Sequence, residues 1–111
     1  MLSKTGFDVF DVSLDLIRAV RRPIEVIRSH DAALSTQLRK AAASVPANIR
    51  EGNRRQGRDR RHLWTVAAGS ADEVQSHLLV AHAWDYVDDQ ALQKPLQLVD
   101  RVLAMLWRLT H

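Results

Sequence analysis

Six arginines, Arg50, Arg54, Arg55, Arg58, Arg60 and Arg61, fall within twelve positions of the run IREGNRRQGRDRR. A guanidinium keeps its charge at physiological pH and offers a rigid fork of donors matched to phosphate and carboxylate oxygens. The chemistry on offer is anion recognition. Such a cluster draws a polyanion by steering and counterion release, or simply solvates a surface. The run contains no aromatic residue on which a single-stranded base could stack, which speaks for an acidic protein partner as the alternative to RNA.

Other chemistry finds little support. Glu73 and His77 are four apart and share a helix face, so they could hold one side of a divalent ion. A carboxylate-bridged centre in a helix bundle needs further inward glutamates and a second Glu-x-x-His pair, and the chain has only three glutamates. His30, His62, His82 and His111 form no ligand spacing among themselves. Ser13, Ser44 and Ser70 have no base nearby in sequence, and no phosphate loop, dinucleotide fingerprint or nucleophile elbow is present. The expectation is a protein that is not an enzyme, with no catalytic residue, metal site or cofactor.

A second polar set is Gln37, Ser44, Asn48, Glu51 and Arg55, whose spacings keep it near one side of a single helix. Turned outward it is a solvated stripe. Turned toward Ser70, Glu73 and His77 it forms a structural network that fixes helix register, with Arg55 pairing Glu51 or Glu73 at the desolvation cost of buried charge.

The elements that must position these residues are helices. From Phe7 to about Arg28 apolar residues recur at Phe10, Leu14, Ile17, Ile24 and Ile27, and again at Val9, Val12, Leu16 and Val20, with a bend expected at Pro23. Asp31 is a candidate N-cap for a second helix through Leu34, Leu38, Ala41, Ala42, Val45 and Ile49 to about Gly52, kinked or irregular at Pro46. NRRQGRDRR then reads as a basic loop between Gly52 and Gly57 and the third helix, which runs from about Arg58 to Tyr86. After a cap at Asp88 or Asp89, a fourth helix carries Leu92, Leu96, Val99, Leu103 and Leu106 on one stripe and Leu98, Val102, Met105 and Leu109 on another. One stripe fills a bundle; two leave a face for another subunit. Small residues at Ala41–Ala43, Ser44 and Ala47, and at 67–71, predict a closely packed second and third helix.

Short connections between four such helices give an all-α, antiparallel up-down-up-down four-helix bundle. A single domain over residues 1–111 is large enough for one core. The absence of cysteine suits a reducing, cytoplasmic setting, and Asp8, Asp11 and Asp15 break up the N-terminal apolar run, so neither a signal core nor a membrane span is expected. Net charge is only +3, but residues 1–62 hold 13 Lys/Arg against 7 Asp/Glu, whereas residues 63–111 hold 3 against 6. The basic character is local.

LSTQLRKAAASVPANIREGNRR followed by HLWTVAAGSADEVQSHLLVA resembles the motif pattern of the bacterial four-helix bundle proteins that include the 23S rRNA intervening-sequence (S23 ribosomal protein) family and the accessory variability proteins of diversity-generating retroelements. The matching positions are Leu34, Gln37, Leu38, Ala41, Ser44, Pro46, Asn48, Ile49, Glu51, Gly52 and Arg55, then Ala67, Gly69, Ser70 and Glu73. IRSHDAAL and DRRHLW depart from the usual pattern ahead of the second and third helices. The resemblance implies a homopentameric, barrel-like ring without enzymatic activity. It also implies a basic surface of the kind that, in the retroelement proteins, meets nucleic acid and a reverse transcriptase. On this reading Arg50, Arg54, Arg58, Arg60 and Arg61 are the nucleic-acid ligands, facing structured RNA or an RNA–protein complex, and Arg55 belongs to the structural network.

Overall fold

The computed structural model describes residues 5–111, and residues 1–4 of the expected domain lie outside the described residues. The four helices are α1 (Asp8–Arg28), α2 (Ala32–Asn53), α3 (Gly57–Ala83) and α4 (Asp89–Thr110), and no strand is present among the described residues. Each helix packs against its chain neighbours, and α1 closes the ring against α4, so the order is up-down-up-down around one core. A 27-residue helix is about 40 Å long at 1.5 Å per residue, close to the 42 Å long axis of the molecule. The helices therefore run end to end. One end holds the α1–α2 and α3–α4 connections; the other holds the α2–α3 connection, the start of α1 and the close of α4.

Helix starts follow the local chemistry. The Asp31 carboxylate accepts from the Leu34 amide at 3.0 Å, and Asp88, rather than Asp89, accepts from the Ala91 amide at 2.9 Å. The α3 helix stops three residues short of the expected Tyr86. Asp85 takes a left-handed φ of 63°, the Tyr86 amide donates to the Ala81 carbonyl and the Asp85 amide to that of His82. This is a Schellman turn with aspartate in the place glycine usually takes.

Pro23 and Pro46 lie inside continuous helices, as does Pro95 in α4, a third proline that periodicity alone did not bring forward. No irregular turn interrupts α2 at Pro46. Each ring removes one amide donor and leaves the carbonyl four residues back without its helical partner. Those carbonyls belong to Ala19, Ala42 and Ala91.

Val9, Val12, Leu16, Val20 and Ile27 of α1 enter the core, while Phe10, Leu14, Ile17 and Ile24 stay half-buried at its edge. On α4 both expected stripes contribute: Leu92, Val99 and Leu106 from one, Leu98 and Val102 from the other. The apolar arc of α4 is thus mostly used within the bundle. Leu96, Leu103 and Met105 are half-buried, and Trp107 and Leu109 are exposed. The α2–α3 pair is the most extensive of the four, with Ala41, Ala67 and Ala71 buried along it, while Ala42 lies on the side of α2 turned toward α1. Gly69 takes no part in that closeness, because a side chain there would meet nothing within 4 Å.

The strained Asp85 makes the α3–α4 turn testable. Asp85→Val is expected to lower stability by about 1–2 kcal/mol, the cost of a left-handed L-residue with no polar group to favour it. Asp85→Gly is expected to stay within about 1 kcal/mol of the parent. Urea unfolding with coincident probes checks the pair, and equal losses would show that the turn does not depend on φ at this position.

Candidate nucleic-acid interface

The basic run is not a loop. Only Arg54–Gln56 connects the helices, so Arg50 stands on the last turns of α2 while Arg58, Arg60 and Arg61 stand on the first turns of α3. Gly57, at φ 56°, supplies the left-handed residue that turns the chain into α3. This corrects the expectation of an extended basic loop: Arg50, Arg58, Arg60 and Arg61 are carried on helix ends, and only Arg54 and Arg55 lie in the short connection.

What holds those ends together is Trp64. Its indole N–H donates to the Ile49 carbonyl at 3.0 Å, inside the protein, and the ring lies against Gly52. A Cβ on residue 52 would sit 2.5 Å from two indole atoms, so only glycine permits the approach. Phe7 packs against the indole at 6.3 Å between centroids, bringing the start of α1 to the same junction. Arg60 completes it: its Nε donates to the Gly52 carbonyl at 3.2 Å, its guanidinium to the Asn53 carbonyl at 3.1 Å, and the cation lies 5.4 Å from the centre of the Trp64 ring. The Gly52 carbonyl also accepts from the Arg55 amide at 3.0 Å, and the Asn53 carbonyl is one that the last turn of α2 leaves without a helical donor. Arg60 is placed as a cap across the junction. Sequence spacing gave no warning of this, since the partners are seven and eight residues away across a turn.

The remaining arginines divide further. Arg55 donates to Glu51 through Nε at 3.2 Å and through its terminal nitrogen at 2.8 Å. That hydrogen bond and the Glu51 charge raise the Arg55 guanidinium above its ordinary pKa. Both side chains are about half exposed, at 51% and 44%, so the pair does not form the buried charge lock considered from sequence and adds little stability. Arg50 lies 5.3 Å over the Phe10 ring. Arg54, Arg58 and Arg61 are exposed and make no side-chain hydrogen bond or ion pair among the described residues.

The α3 N-terminus adds to this field. Gln56 gives its first turn no side-chain cap, and the sequence there is basic except for Asp59. Helix N-termini carry partial positive charge and favour acidic residues. Arginines placed there oppose the local rule, and they build a positive end with open amide donors.

The polar network is smaller than the sequence allowed. Ser70 donates its hydroxyl to the Ser44 Oγ at 2.8 Å, and the Asn48 amide donates to the same oxygen and to the Ser44 carbonyl, both at 2.9 Å. This chain ties α2 to α3 at one height. Gln37, Glu73 and His77 line a shallow groove of about 340 Å³ beside Ser44 and Ser70, with Gln37 and Glu73 exposed. No group of three or more His, Asp or Glu side chains is placed to hold a metal ion among the described residues.

Residues 6–108 match the family model described as 23S rRNA-intervening sequence protein. The chain belongs to that family. A crystal structure of a protein of unknown function from the S23 ribosomal protein family of Bacteroides thetaiotaomicron superposes with a TM-score of 0.82, covering 92% of this chain and 97% of the other at 22% identity. That likeness concerns the fold. No curated protein matches the sequence. The four-helix architecture and the family expected from the Ser44–Arg55 and Ala67–Glu73 motifs are therefore both found, and no helix among the described residues is long and apolar enough to cross a membrane.

The Gly52–Trp64 contact predicts an inverted helix propensity. Gly→Ala inside a helix ordinarily stabilises by up to about 1 kcal/mol, whereas Gly52→Ala is expected to destabilise by about 1–3 kcal/mol through overpacking. In a Trp64→Leu background the same change is expected to lose most of its cost. A double-mutant cycle in urea checks this, and additive effects would exclude the contact as the cause.

Proposed function

We propose that this member of the 23S rRNA-intervening sequence protein family is a non-catalytic, homo-oligomeric RNA-binding protein whose basic bundle end engages phosphates. The observation that carries the reading is the set of uncommitted arginines, Arg54, Arg58 and Arg61, held around the uncapped start of α3. Arg50 flanks them from α2. Arg60, bound to α2 carbonyls, shapes the surface and is not counted among the phosphate ligands. Each exposed arginine gives a modest, salt-screened contact, and several copies in one assembly raise avidity without any new contact.

Self-association is proposed for the flank of α3 where Val66, Val80 and Trp84 are exposed on one helix face. A pentameric ring is the assembly that the family resemblance implies. The proposal includes structured RNA held within an RNA–protein complex, a reverse transcriptase complex being the one the resemblance suggests.

Two outcomes are expected. Light scattering should give a mass several times the 12.6 kDa chain, and a monomer would remove the assembly from the proposal. Combined charge reversal at Arg54, Arg58 and Arg61 should reduce RNA retention on filters at least ~tenfold at moderate salt and flatten the slope of log affinity against log salt. Arg60→Gln should lower stability and leave retention nearly unchanged. Unchanged retention in the reversal variant, or a partner that persists after nuclease treatment, would favour an acidic protein partner instead.

A further inference from the structure

Building on that RNA-binding reading, we propose that the basic end takes single-stranded RNA and that Trp107 is its base-stacking platform. The arginine run itself holds no aromatic residue, but the antiparallel course of α4 brings one to it. The last turn of α4 lies at the end of the bundle where α3 begins. Trp107 is 62% exposed there, although the neighbouring Val102 and Leu106 are fully inside.

The flanks agree. His82, whose ring nitrogen lies 2.6 Å from the Asp89 carboxylate of α4, marks the side of α3 that faces α4; Arg61, twenty-one residues earlier, lies within about 60° of it round the helix. The groove between α1 and α4 is lined on α4 by Ala91, Lys94 and Pro95. Trp107 follows Ala91 by sixteen residues, about 160° round the helix, and so lies on the flank turned toward α3. Arg61 and Trp107 edge one seam at one end of the molecule.

The indole is also held in place. His111 stacks on it with ring centroids 3.4 Å apart and planes 18° from parallel. The imidazole Nδ1 lies 3.0 Å from the Thr110 hydroxyl and 3.2 Å from the Trp107 carbonyl, and that hydroxyl donates to the Leu106 carbonyl at 2.8 Å. A fixed aromatic face at the same end of the bundle as exposed guanidinium groups is the pairing that single-stranded binders use: cations follow the backbone while the ring takes an unpaired base. Duplex bases are already stacked and cannot reach it.

The test is fluorescence anisotropy with a labelled oligouridine of about 12 nucleotides, set against an RNA duplex of about 16 base pairs. The parent protein should prefer the oligouridine. Trp107→Ala should weaken that binding about tenfold without changing duplex binding, and Trp107→Phe should restore most of it. Equal loss on both probes, no loss on either, or a change in assembly mass in Trp107→Ala would overturn the proposal. In those cases the reversal of Arg54, Arg58 and Arg61 still decides whether RNA is bound at all. Failure of the parent to bind either probe would overturn the RNA-binding reading together with this one.

Discussion

The indole of Trp64 lies so close to Gly52 that no side chain fits between them, and the geometry of the basic end rests on this approach. Through its N–H, Trp64 holds the Ile49 carbonyl; through its face it holds the Arg60 cation; and Phe7 packs against the ring. The connection between α2 and α3 can then be as short as Arg54–Gln56. Short connections limit how far the flanking arginines can wander. Charges on two rigid helix ends keep a defined spacing, as a flexible loop of the same composition would not.

The same junction resolves an apparent conflict in local preferences. Arginines in the first turn of α3 oppose the helix dipole, and Gln56 provides no cap. Both features weaken the start of the helix when considered alone. Packing of Trp64 and capping by Arg60 compensate from the tertiary side, so the helix begins at Gly57 despite its own terminus. Local rules broken at one place and offset from elsewhere are characteristic of functional surfaces.

Further along the pair, register is set by small groups. Ala41, Ala67 and Ala71 let the two backbones approach, and the Asn48–Ser44–Ser70 chain satisfies the polar atoms enclosed between them. A network without charge avoids the large desolvation cost that a buried Glu51–Arg55 pair would carry. That ion pair instead sits at the surface, where solvent screens it. Arginines crowd the α2–α3 end, whereas Asp85, Asp88 and Asp89 occupy the α3–α4 end beside Trp84 and Tyr86.

Helix number, the Asp31 cap, the α2–α3 closeness and the family motifs were legible in the sequence, because each depends on contacts within about one turn or on a periodic face. Periodicity also identified the apolar residues of α1, but it could not say which of two adjacent stripes faces inward. That is decided by where α2 and α4 pack. Arg60 looked like its neighbours in the basic run and became a cap only when the turn brought the Gly52 and Asn53 carbonyls within reach. Trp107 stood 46 residues from Arg61 in the chain and at the same end of the bundle in space. Composition and spacing thus determined what groups this protein has and which helices carry them. Only antiparallel packing, by folding distant turns onto one end, decided which arginines are tied to backbone and which remain free.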